Sequence, residues 1–273
     1  MSFAGWLIKG LVAVACILTA YKLRKIRLES RRQIELINKP DYIPPEPDLK
    51  ALRRMSTATI RWQVGNIEVE GRQNLERCPA SEPLIVIANH TNYADSSVIV
   101  RLLDRKVYIM SAIGILHFAG GLGAYMLKGC GVVPVEILNK WEDQALWRFS
   151  DLVAQGNTLI IYPEGWVHMD GITRAFKRGI VHIARESEEK FGGPIKILPL
   201  FISYNKTPGP RVTKLPPPFD YLFTLIAAPL YRGGAKARIG EPISTADLPQ
   251  NSKAAISLLR EKVLELRDFD EIN

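Results

Sequence analysis

Three stretches of this chain are apolar at almost every position: Leu84-Ile85-Val86-Ile87-Ala88, Leu159-Ile160-Ile161-Tyr162 and Ile195-Lys196-Ile197-Leu198-Pro199-Leu200-Phe201-Ile202. Successive side chains of a strand point to opposite faces. A strand apolar at every position is therefore covered on both faces, which is the habit of parallel strands. Helical segments separate these runs, so the pattern predicts an α/β fold, a mostly parallel, helix-covered sheet of about seven strands. We place strands near residues 67–70, 84–88, 107–111, 131–135, 157–162, 195–202 and 235–239, and helices near 51–61, 94–104, 140–155, 175–190 and 251–268. Asn66-Ile67-Glu68-Val69-Glu70-Gly71 alternates, as an edge strand does. Hydrophobic residues make up 47% of the 273 positions, enough to bury one substantial core, and a single folded domain is expected over residues 51–273.

In such sheets ligands gather at the carboxyl ends of the strands. There the sequence turns polar. The first run is followed by Asn89-His90-Thr91-Asn92-Tyr93-Ala94-Asp95, the second by Pro163-Glu164-Gly165-Trp166. A neutral imidazole can take a proton near physiological pH, and a carboxylate on its far nitrogen fixes the useful tautomer. His90 and Asp95 cannot meet on one regular helix, where five residues place them about 140° apart. They can meet if His90 leaves the strand on a loop and Asp95 opens the next helix, with Asn92 as the expected N-cap. A bare His-x4-Asp is more often a loop histidine and a capping aspartate. The second cluster shifts the balance, because Phe176-Lys177-Arg178-Gly179 follows Glu164 by twelve residues at the start of an expected helix. Pro199 lies inside an apolar run, where proline is confined to edges, bulges and strand ends, so it is expected to shape a wall near the site.

Asn89-His90 through Asp95, Gly131-Val132-Val133-Pro134-Val135, Pro163-Glu164-Gly165, Phe176-Lys177-Arg178-Gly179 and Leu198-Pro199-Leu200 together resemble the glycerolipid acyltransferases, the family of 1-acylglycerol-3-phosphate acyltransferase. The resemblance covers residues 80 to 205. It implies that His90 is the base and Asp95 its orienter, acting on an acceptor hydroxyl that attacks an acyl thioester. The thioester is carried on coenzyme A or acyl carrier protein as co-substrate, with no bound cofactor and no metal. It also implies that Glu164, Gly165, Phe176, Lys177, Arg178 and Gly179 bind substrate, with Asn89, Trp166, His168, Arg174 and Pro199 as further candidates. Two positions depart from the pattern. The family's phosphate-linked arginines correspond here to Val167 and Glu136. A valine cannot donate and a glutamate repels a phosphate, whereas arginine binds phosphate through two points. His168, Arg174, Lys177 and Arg178 are possible substitutes. The acceptor is therefore open between lysophosphatidate-like lipids, other lysophospholipids and neutral alcohols. A non-catalytic lipid-binding relative and a thioester hydrolase are the readings from other classes.

Phe3 to Tyr21 is mostly apolar and is followed at once by Lys22, Arg24, Lys25, Arg27, Arg31 and Arg32. About 20 apolar residues span a bilayer. We expect a membrane anchor over residues 1–22, with the basic border and the following domain on the cytoplasmic face. A helix lying in one leaflet is the alternative. Residues 23–50 read as a basic helix and a linker, since Pro40, Pro44, Pro45 and Pro47 interrupt regular structure. The net charge of +8 suits an anionic membrane surface, and no nucleic-acid motif accompanies it. Cys16, Cys78 and Cys130 are scattered and form no metal spacing. Two further apolar segments stand out. The glycine-rich stretch from Ile113 to Gly131 either makes room for an acyl chain or packs tightly against the sheet. Phe219 to Leu230 is too short to span a bilayer, and either dips into the interface or is buried.

Overall fold

The computed structural model describes residues 3–39, 42–135, 143–207, 209 and 219–267, without the side chains of residues 3–17, 119, 143–145, 220 and 221. Strands β1 (Ile67–Glu70), β2 (Leu84–Ala88), β3 (Tyr108–Ala112), β4 (Val132–Val135), β5 (Thr158–Ile161), β6 (Lys196–Tyr204) and β7 (Ala235–Ile239) form one sheet in the order β1-β7-β6-β2-β5-β3-β4. A two-residue β8 (Ile243–Ser244) also pairs with β6. Pairing is parallel except where β6 meets β7 and β8. The expected mostly parallel sheet is present, and the alternating β1 lies at one edge.

Helices α2 (Leu49–Thr59), α4 (Asp95–Leu103), α6 (Asp143–Ala154), α7 (Gly179–Phe191) and α9 (Ser252–Leu264) cover the sheet. Period-2 alternation divides the core. Ile85, Ile87, Leu159 and Ile161 face one side with Phe149, Ile183 and Leu259 from α6, α7 and α9. Leu84, Val86, Ala88 and Ile160 face the other with Leu52 and Val98 from α2 and α4. The central strands are therefore apolar throughout because both faces are covered.

Both strand prolines obey the ladder rule in different ways. Pro134 lies in β4, the far edge strand. Pro199 lies mid-sheet, at the point where β6 exchanges β8 for β7 as its neighbour. No strand there asks for its missing N–H, and its carbonyl accepts from Gly240 N at 2.9 Å.

Several elements differ from expectation. No break occurs at residue 22; α1 runs unbroken over Phe3–Ile37. Its later part packs on α5 (Ile113–Met126), a helix that the glycine-rich sequence disguised. Gly121 has φ +95°, and a Cβ there would sit 2.6 Å from the Ser30 carbonyl oxygen of α1. That glycine therefore serves helix packing. Short α3 (Gln73–Glu76) was not expected. Among the described residues no helix is long and apolar enough to cross a membrane. The anchor expected over residues 1–22 falls mostly on positions whose side chains lie outside the described set.

After α2 the chain widens into a π-helical turn, Ile60–Val64, closed by Gly65 N on Ile60 O at 2.8 Å. Such turns occur frequently at functional sites. Helix α8 (Phe219–Ala227) continues as a 3-10 turn, Ala228–Tyr231. It is half exposed, so the reading of this segment as a buried helix is set aside.

Candidate active site

The loop leaving β2 is bonded on every side. Asn89 is fully buried, and its amide donates to Ile202 O at 2.9 Å and accepts from Ile202 N at 2.8 Å. It thus extends the β2–β6 ladder through a side chain. His90 follows with its Nδ1 2.8 Å from Asp95 Oδ2. The same oxygen accepts from Thr91 N and Asn92 N, each at 2.9 Å. The other carboxylate oxygen, Oδ1, accepts from the Tyr204 hydroxyl at 2.6 Å. Four donors converge on one fully buried aspartate, an environment that suits a carboxylate and keeps the Nδ1 proton of His90 in place. The Nε2 of a neutral His90 is then the acceptor atom.

Asn92 is not the helix cap. Its Oδ1 accepts from Ala94 N at 2.9 Å in an Asx turn, and Ala94 occupies the cap position. The carboxylate of Asp95, in the first helical turn, reaches back to satisfy the preceding N–H groups instead.

The His90 ring stacks on Tyr162, with centroids 3.9 Å apart and planes 12° from parallel. The Tyr162 hydroxyl lies 2.9 Å from Ser96 Oγ. Burial first, and the Asp95 charge second, push the phenols of Tyr162 and Tyr204 well above the ordinary tyrosine value. Both tyrosines therefore stay protonated, and Tyr204 donates to Asp95.

Glu164 bridges two loops. Its Oε1 accepts from His90 N at 2.8 Å and its Oε2 from Arg174 N at 2.6 Å. Burial raises its carboxyl pKa, against the pull of these two bonds. His168 N adds a third tie by donating to His90 O at 2.7 Å. Burial, with Arg174 nearby, pushes the His168 imidazole below the usual histidine range.

Gly165 and Trp166 line a cavity of about 310 Å³ whose wall also includes His90. Gly165 has φ +74°, and a Cβ there would sit 2.4 Å from Lys177 Nζ. Gly165→Ala is expected to cost about 1–2 kcal/mol for the left-handed backbone alone. In a domain of this size that lowers the unfolding midpoint by roughly 2–8 °C, read by a thermal melt. An unchanged midpoint would mean that the turn relaxes without strain.

The remaining expected residues divide between site and scaffold. Lys177 lays its ammonium by Gly165, while its N–H donates to Pro163 O at 2.8 Å. The guanidinium of Arg174 pairs with Asp170. Phe176 is in the core, Gly179 is buried at the start of α7, and Arg178 precedes it in the exposed cap position. Pro199 does not line the cavity, and the wall expected of it is supplied elsewhere. Val167 does line the cavity and packs with Met169 and Tyr93. Glu136 lies outside the described residues.

The cavity is chiefly apolar. Ile109, Met110, Ile115 and Val132 form much of it, and Gly114 faces open space, with no atom within 4 Å of a built Cβ. Its volume is at the small end of ligand sites, about 300–1,000 Å³. Tyr162 and Tyr204 were not singled out from the sequence. Each sits at or just past the carboxyl end of a strand that frames His90.

An α/β sheet with a histidine–aspartate pair at its carboxyl edge, opening on an apolar chamber, agrees with the resemblance to the glycerolipid acyltransferases. The sequence model of the family described as Acyltransferase matches residues 66–203, half of the chain, and this protein belongs to that family. Among similar proteins are the chloroplastic 1-acyl-sn-glycerol-3-phosphate acyltransferase LPAT1 of Arabidopsis thaliana, 27% identical over 44% of this chain, and its chloroplastic counterpart BAT2 of Brassica napus, 29% identical over 42%. The chain spans about a third of the length of these curated relatives, 33% in each case. The 1-acyl-sn-glycerophosphate (LPA) acyltransferase PlsC from Thermotoga maritima has a similar fold. The TM-score is 0.53 over 80% of this chain and 79% of that one, at 21% identity.

Proposed function

We propose that this protein is an O-acyltransferase that moves an acyl group from a thioester on coenzyme A or acyl carrier protein to the hydroxyl of a glycerolipid acceptor. The observation that carries this reading is the 2.8 Å contact of His90 Nδ1 with Asp95 on the wall of an apolar cavity. His90 Nε2 takes the acceptor's hydroxyl proton as its oxygen attacks the thioester carbonyl carbon. The tetrahedral intermediate collapses by breaking the carbon–sulfur bond. The leaving thiolate takes the proton back from the imidazolium, giving an ester and a free thiol. The apolar part of the cavity accommodates acyl chain, and the N-terminal part of α1 anchors the domain, with the basic residues after Tyr21 at the cytoplasmic surface.

Val167 favours an acceptor without a phosphate. It stands where the resembling family has a phosphate-linked arginine, and it is buried against Met169 and Tyr93. Of the possible substitutes, Arg174 is engaged by Asp170 and burial disfavours charge on His168. Lys177, beside Gly165, and the exposed Arg178 are the further candidates for a head-group contact. One labelled acyl thioester, offered with a panel of lysolipids and neutral alcohols and read by mass spectrometry, tests both parts. We expect ester product and acceptor-dependent thiol release, with uncharged acceptors preferred to lysophosphatidate. Thiol release that ignores the acceptor would point to hydrolysis. A clear preference for lysophosphatidate would remove the neutral-acceptor reading.

A further inference from the structure

Helix α8 and the 3-10 turn after it carry large apolar side chains on the outside. Phe219, Phe223, Ile226 and Leu230 are 60%, 43%, 68% and 76% exposed. Their spacing of four, three and four residues puts them in one stripe along the helix. The opposite face is the buried one, where Thr224, Ala227 and Ala228 meet the domain. Trp62 extends the stripe: it is 51% exposed, and its indole N–H donates to Leu225 O at 2.8 Å. Soluble proteins rarely leave contiguous apolar surface of this kind uncovered.

Basic groups border the stripe. Arg61 and Arg232 are exposed beside Trp62 and the end of the 3-10 turn, and Arg232 lies over Gly65, which closes the π-helical turn. Exposed Lys206 lies against Gly233 on the same side. Apolar side chains with an aromatic amphipath, rimmed by cations, match a bilayer that presents acyl chains below anionic head groups. A helix of nine residues cannot span.

The same elements reach the cavity. Gln63, next to Trp62, and Thr59, just before the π-helical turn, line the cavity, so the turn has one side on the stripe and one on the site. On the inner face of α8, Thr224 Oγ1 is 4.0 Å from Met169 Sδ, and Met169 packs on Val167 of the cavity wall. We propose that α8, the turn Ala228–Tyr231 and Trp62 form a bilayer-docking surface for anionic membranes, separate from α1, that sets the cavity against the leaflet holding its lipids.

The docking itself does not depend on the acyl-transfer chemistry, so its test reads depth in the membrane. The full chain carries Ile226→Cys with Cys16→Ser, since Cys78 and Cys130 are buried. An environment-sensitive fluorophore is attached at position 226 and, in a second protein, at position 191 by Phe191→Cys at the far end of α7. Vesicles of phosphatidylcholine with phosphatidylglycerol, containing nitroxide-labelled lipid, are added. We expect a blue shift and several-fold stronger quenching at 226 than at 191, weakened in pure phosphatidylcholine. Water-like emission at 226 on chain that cosediments with vesicles would overturn the proposal and leave attachment to α1. So would a blue shift without vesicles that grows with protein concentration, which would assign the stripe to a second copy of the chain.

Discussion

His90→Ala is expected to lower acyl transfer by about two to four orders of magnitude, the usual contribution of a positioned base, while the domain stays folded. The fold tolerates the loss because Asp95 keeps three of its four donors, Thr91 N, Asn92 N and the Tyr204 hydroxyl. The stacked ring pair with Tyr162 disappears, at a cost of about 0.5–1.5 kcal/mol. Ester formation followed by mass spectrometry, beside a thermal melt, separates these effects. Turnover within a few-fold of wild type would remove the histidine from the chemistry.

Asp95→Asn is expected to be nearly as damaging, by a route set by the surrounding donors. In other histidine–aspartate pairs the asparagine amide can turn its NH₂ to the imidazole and impose the wrong tautomer. Here that would place the NH₂ against Thr91 N–H and Asn92 N–H, both of which already point at this atom. The side-chain oxygen therefore stays toward His90, and the NH₂ faces Tyr204, whose hydroxyl can rotate from donor to acceptor. The tautomer survives and the charge is lost. Two unit charges about 4 Å apart at an effective dielectric of 20 interact by about 4 kcal/mol, so losing the carboxylate removes roughly three orders of magnitude from a step that forms imidazolium. Nitrogen chemical shifts of His90 provide the check. Nδ1 should stay protonated in wild type and variant alike; a switch to Nε2 would restore the tautomer explanation.

The sheet was legible because its central strands are buried on both faces, so β2, β5 and β6 were visible as apolar runs. Helix α5 was not, since its glycines break the helical pattern and one of them, Gly121, serves a contact with α1 that no local pattern announces. Helix α7 begins at Gly179, four residues later than expected, because Lys177 N is committed to Pro163 O across the site loop. The same limit applies to the site. His90 and Asp95 are close in sequence and could be paired on paper. Tyr204 reaches Asp95 from another strand, and only the parallel register of β2 with β6, Ala88 opposite Leu200, explains why a residue four beyond Leu200 arrives there. Glu164 was expected to contact substrate; each of its oxygens also accepts from a backbone N–H group, a tie invisible without the loops' path.

The twofold bond between Asn89 and Ile202 joins the ends of two distant strands. The bridging carboxylate of Glu164 adds a third segment, and Tyr204 closes the set. The loop that holds His90 is therefore fastened only once the chain has been made through Tyr204. A nascent fragment that stops short of β6 lacks both the Ile202 partner of Asn89 and the Tyr204 partner of Asp95, so its histidine loop is untied while β7 and β8 are still to come.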